Sequence, residues 1–128
     1  MVFNVLIMLK IEMYDTRIKI SFFKDEHSLQ QQLIKIYKRF KVKEETEELC
    51  EGLVFFHPEN SNEVYLYLTE NYLTFNLISH EMYHLTNRIL SQKGLKLTIE
   101  DDEQHAILNG YLNEKLIKYI YKKGYTIK

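Results

Sequence analysis

A chain of 128 residues fits one compact domain, expected to span residues 1–128, and is long enough to bury a core without staples. Its 17 basic and 18 acidic side chains leave a formal net charge of −1, which argues against binding nucleic acid through bulk positive charge. Hydrophobic residues make up 45% and charged residues 27%, ordinary globular values that exclude a disordered or fibrous class.

The single cysteine, Cys50, forbids an internal disulfide and reads as a small, partly buried apolar residue. Residues 1–9 are apolar but lack the basic region and small-residue cleavage site of a signal peptide. No run approaches the roughly 20 apolar residues of a membrane span. The expected setting is the cytoplasm, with no membrane partner.

Residues 2–23 are rich in Val, Ile, Phe and Met, and Arg17 to Phe22 alternates. This predicts one or two strands, with a hairpin turn near Asp15-Thr16. Ser28 followed by Gln31 is a capping-box pattern that opens a helix to about Phe40, with Leu33, Ile34, Ile36, Tyr37 and Phe40 available for a core face. Lys43 to Glu51 is acidic and reads as a solvated loop or short turn.

Gly52 to His57 reads as a strand, residues 58–62 as a turn containing the only proline, and Glu63 to Thr69 as a second strand. In that strand Val64, Leu66 and Leu68 alternate with Tyr65 and Tyr67, and the two strands form a hairpin. A helix follows from near Asn71 to about Lys93, with Gly94 as its stop signal. Thr98 and Asp101 form a second capping pattern, opening a last helix from about Ile99 to Lys123. Strands and helices segregate along the chain, which predicts an α+β fold.

His80-Glu81-Met82-Tyr83-His84 is an HExxH motif. Positions four apart on a helix lie one turn above each other on one face, so both imidazoles can reach one metal ion. The adjacent glutamate can take a proton from metal-activated water. Composition alone yields such a match by chance in about 2% of chains like this one. The helical wheel adds a second argument. Leu77, Ile78, Met82, Leu85 and Ile89 span one arc, Glu81 falls inside it, and His80 and His84 lie at its border. A carboxylate on a core face is costly unless something pairs with it.

Zinc in such a site takes a third protein ligand and leaves one position open. Asn87 and Leu90 stand where a metzincin continuation would need glycine and histidine, so that class is excluded. Asp101, Asp102, Glu103 and His105 are the next candidates. Glu103 shares a helical face with Ala106 and Gly110, small residues that would allow close approach to the HExxH helix. Asp102 is the fallback. His105 projects about 200° from Glu103 and reads as structural or solvent-facing. Acids at 100–103 also suit a helix N-terminus for electrostatic reasons alone.

Taken together, these residues resemble the gluzincins, metallopeptidases with HExxH on one helix and a glutamate ligand on the next. Residues 78–84 followed by 103–112 are similar to small phage- and prophage-encoded metallopeptidase-like proteins with a minimal zincin fold, and the likeness covers roughly residues 14–120. The resemblance implies a small, mainly antiparallel sheet against an HExxH helix and a C-terminal glutamate helix, plus one N-terminal helix. It implies zinc held by His80, His84 and Glu103, with Glu81 as general base and proton shuttle in peptide-bond hydrolysis. Other divalent ions stay open, because affinity order alone does not select the metal. It also implies an edge strand, taken as Glu63 to Thr69, that binds an extended peptide or protein substrate by strand addition.

Larger gluzincins carry a C-terminal subdomain that supplies an oxyanion partner, and this chain ends soon after the glutamate helix. Tyr72, Tyr83, Tyr111 and His57 are the candidates for that role, though packing and turn roles account for each. The alternative function is a catalytically weak or inactive zincin-fold module that binds a phage or host protein, its metal serving only the fold. Nucleic-acid binding fits poorly, since only Lys115 to Lys128 is locally basic.

Overall fold

A computed structural model describes residues 7–11, 16–41, 49–60, 62–95, 99 and 102–128. The class is α+β: three helices and a four-stranded mixed sheet of order β1-β2-β4-β3. The chain divides into two compact units, Met1–Tyr72 and Leu73–Lys128. Among the described residues no helix is long and apolar enough to cross a membrane.

The first unit holds the sheet and one helix. Strands β1 (Ile7–Ile11) and β2 (Thr16–Phe23) form the expected antiparallel hairpin, with Ile11 opposite Thr16. The turn, with Asp15, lies outside the described residues. β3 (Gly52–Phe56) and β4 (Glu63–Thr69) form the second antiparallel hairpin. Its turn is held by His57, whose Nδ1 accepts the backbone N–H groups of Glu59 and Asn60 at 3.0 and 3.1 Å.

The two hairpins join through β2 and β4, which run parallel, Ile18 opposite Val64 and Phe22 opposite Leu68. The sheet is mainly antiparallel, as expected, with two antiparallel pairings on either side of a parallel central one. One expectation is corrected: β4 is not an edge, since β2 bonds one side of it and β3 the other, leaving no free ladder for strand addition. The physical reason is visible in its side chains. Val64, Leu66, Tyr67 and Leu68 are all buried, so both faces of the strand are covered, as an interior strand requires.

Helix α1 (Glu26–Phe40) packs on one sheet face. Leu29, Leu33, Ile36 and Tyr37 cluster there with Phe23 and Tyr67, and Cys50, Leu53, Phe55 and Tyr65 pack around them. Cys50 is half-buried in that apolar setting, as expected. The N-cap is Asp25, not Ser28: its carboxylate accepts the Ser28 N–H at 2.9 Å. Ser28 therefore sits at the third helical position, where its amide is one of the orphan donors that a cap satisfies. Residues 42–48, most of the acidic stretch, lie outside the described residues.

The second unit is a helical hairpin. α2 (Phe75–Gln92) begins four residues later than expected, because Thr74 caps it by accepting the Leu77 N–H at 3.0 Å. It stops where expected: Gly94 takes φ +82°, and the Leu95 N–H returns to the Leu90 carbonyl. α3 (Asp102–Lys122) follows, its proposed cap at Thr98 and Asp101 lying outside the described residues. Its buried stripe is His105, Leu108, Leu112, Leu116 and Ile120. The Lys128 N–H bonds the Leu73 carbonyl at 2.8 Å, tying the end of this unit to its start.

Candidate metal centre

The HExxH segment lies mid-helix in α2, preceded by a capped first turn. The buried face of the helix is Leu77, Ile78, Glu81, Met82, Leu85, Thr86, Ile89 and Leu90. Glu81 is thus on the core side, 4% exposed, as the wheel predicts. His80 and His84, on the border of that arc, are both exposed.

Their ring nitrogens converge. His80 Nε2 and His84 Nε2 stand 3.2 Å apart. Two nitrogens each about 2.0–2.1 Å from a tetrahedral zinc ion would stand about 3.3 Å apart. The imidazoles therefore fit two corners of such an ion. Glu81 Oε1 is 3.8 Å from His80 Nε2. Burial pushes the Glu81 carboxyl above the ordinary carboxylate range, and His80 pulls against that shift. The arrangement offers two imidazole donors and a neighbouring carboxyl with raised proton affinity.

Glu103 is placed in the first turn of α3 and is exposed. Among the described residues no three His, Cys, Asp or Glu side chains stand together as a metal-holding group. The structure thus joins His80, His84 and Glu81, and does not bring Glu103 to them. The face that Glu103 shares with Ala106 and Gly110 is open: both small residues are exposed, and a Cβ added at Gly110 meets nothing within 4 Å. This corrects the expectation of a close helix approach there. α3 buries its leucine stripe instead, and two polar contacts link it to α2. Thr86 Oγ1 lies 3.3 Å from Asn109 Oδ1, and Ser79 Oγ donates to Asn113 Oδ1 at 3.5 Å. His105, expected to be structural or solvent-facing, is buried on the α3 core stripe.

The four oxyanion candidates are also located. Tyr83 is exposed on α2, its ring 6.2 Å from that of His84. Tyr111 is exposed on α3 and lies under the Lys115 ammonium. Tyr72 is exposed, and its hydroxyl bonds Glu26. His57 serves the β3–β4 turn and stacks on Tyr65.

Asn87 is an addition that the motif passes over. It lies one turn beyond His84, so His80, His84 and Asn87 follow the i, i+4, i+7 spacing of one helical face. Its Oδ1 is buried with no hydrogen-bond partner among the described residues. An orphaned acceptor of this kind costs about 1–3 kcal/mol unless a donor or cation meets it. The signal was present in the spacing, at a position weighed only for glycine.

Compared with known proteins, the chain matches no family model, no curated protein and no solved structure.

Proposed function

We propose that the chain is a zinc-dependent metallopeptidase of gluzincin type on a minimal zincin-like fold. His80 and His84 hold the ion and Glu81 is the general base; Glu103, which the structure does not gather with them, is the third ligand that the gluzincin resemblance supplies. The observation that carries the proposal is the 3.2 Å convergence of the two Nε2 atoms beside a buried carboxyl. Zinc, when bound, acts as a Lewis acid and brings the pKa of water down to about 7. Other divalent ions remain compatible with the donor set.

The chain's own residues supply the rest. Glu81 Oε1 accepts a proton from the attacking water as the peptide carbonyl is attacked, then returns it to the leaving amine. Burial suits it to both steps, because a carboxyl of raised proton affinity is a better acceptor near neutral pH. The exposure of His80 and His84 leaves the reacting side of α2 open to a peptide or protein substrate. The working compartment is the cytoplasm, a setting that suits a chain whose single cysteine cannot form an internal disulfide.

The test is metal stoichiometry together with hydrolysis of a peptide library. One zinc per chain and cleavage that is lost in Glu81→Gln support the reading. A large metal-dependent melting shift with no cleavage of any peptide would replace it with a metal-stabilised binding module.

A further inference from the structure

The sheet face under α1 carries a cavity lined wholly by residues of the first unit. Its volume is about 250 Å³. The sheet supplies the floor: Lys19 and Ser21 of β2 lie opposite Tyr65 and Tyr67 of β4 across the parallel pairing. α1 supplies the wall through Gln32, Ile36, Arg39 and Phe40, the positions i, i+4, i+7 and i+8 of one helical face.

Its lining joins apolar and aromatic walls to a few directed polar groups, the usual make-up of a small-molecule site. Ser21 is 4% exposed and lines the cavity, so its hydroxyl is available to a ligand there as a small polar group. Gln32 bonds the Tyr67 hydroxyl, and burial pushes that phenol up, so it stays protonated and adds no negative charge.

Charge selects the ligand. The Lys19 ammonium is paired with Glu63 at 2.7 Å. The Arg39 guanidinium stands over the Phe40 ring at 5.2 Å and has no carboxylate partner among the described residues. One unpaired cation remains beside aromatic walls. We propose that this cavity binds a small aromatic monocarboxylate, its carboxylate on the Arg39 guanidinium and the Ser21 hydroxyl, its ring against Phe40 and Tyr65. The planar guanidinium fork matches a carboxylate with two parallel hydrogen bonds.

The test uses sodium benzoate, benzyl alcohol and phenyl phosphate as probes of the full chain, followed by amide chemical shifts. Benzoate is expected to shift the Ser21, Gln32, Tyr65 and Tyr67 signals saturably, with Arg39→Gln weakening it about tenfold or more and His84→Ala leaving it unchanged. Should Arg39→Gln fail to melt cooperatively, Arg39→Lys replaces it, since it keeps the charge and loses the fork; weaker benzoate binding is again expected. No saturable shift, equal binding of benzyl alcohol, tighter binding of phenyl phosphate, or an unaffected Arg39 variant would each overturn the proposal.

Discussion

Thr86 Oγ1 lies 3.3 Å from Asn109 Oδ1, and together with the Ser79–Asn113 bond this fixes the level at which α2 and α3 meet, running antiparallel. The same hydroxyl stands 2.7 Å from the Met82 carbonyl one turn back. Thr86 is buried, so its polar atom has no water to fall back on. Thr86→Val keeps the shape and removes these bonds, leaving Asn109 short of a partner. The expected loss is about 1–2 kcal/mol of unfolding free energy, read by urea denaturation.

That level also frames the third ligand. Glu103 precedes Asn109 by six residues, about 9 Å along the helix axis and on the side away from His84. If Glu103 closes the site, Glu103→Ala should fall well below one zinc per chain while its melting temperature without metal drops only slightly, by the loss of one acid from the first turn of α3. Atomic absorption on the dialysed proteins decides it. Full occupancy in that variant moves the third ligand elsewhere.

On the proposed roles, variants at Glu81 and His84 separate chemistry from metal holding. Glu81→Gln should keep zinc and lose about 10²–10⁴-fold in hydrolysis. Removing a buried carboxylate also relieves a desolvation penalty, so the metal-free variant should melt above the wild type at pH 7. His84→Ala should lose both zinc and activity. For the wild type, zinc at a hundredfold excess over its Kd should add about 2.7 kcal/mol of stability, and this increment should vanish in His84→Ala.

The Lys19–Glu63 ion pair gives a pH signature that does not involve the histidine helix. The hydrogen bond from Lys19 holds the Glu63 carboxyl below its ordinary value of 4.5. A group depressed in the folded state binds its proton more readily when unfolded, so its contribution is present above pH 4.5 and is lost as pH falls through the folded value. The difference in melting temperature between wild type and Glu63→Gln should therefore be constant near neutrality and shrink in acid. A difference that grows below pH 4.5 would contradict the sign.

Much of this fold is legible in the residues. The second hairpin announces itself by alternation around a Pro-Glu-Asn-Ser-Asn turn, and α2 by its apolar arc and the glycine that stops it. The burial of Glu81 follows from the same arc. What periodicity does not carry is neighbourhood. It assigns a side chain to a face but does not say which strand lies alongside, so the parallel β2–β4 pairing and the interior place of β4 escaped it. α3 shows a related limit. Ala106 and Gly110 suggested a contact face, yet the leucine stripe at 108, 112 and 116 has far more apolar area to hide and takes the buried side. Asp25 outcompetes Ser28 as a cap because the capping position is set by where the chain leaves β2, which only the assembled sheet defines.

The bond from the Lys128 amide to the Leu73 carbonyl has a practical reach beyond folding. Anything fused after Lys128 departs from beside the entry to the histidine helix, whose first residue, Phe75, stands five residues or about 8 Å along the axis from His80. An oligohistidine tail fused there would deliver competing imidazoles to the very ion being counted, so zinc titrations call for a tag at the other terminus or none.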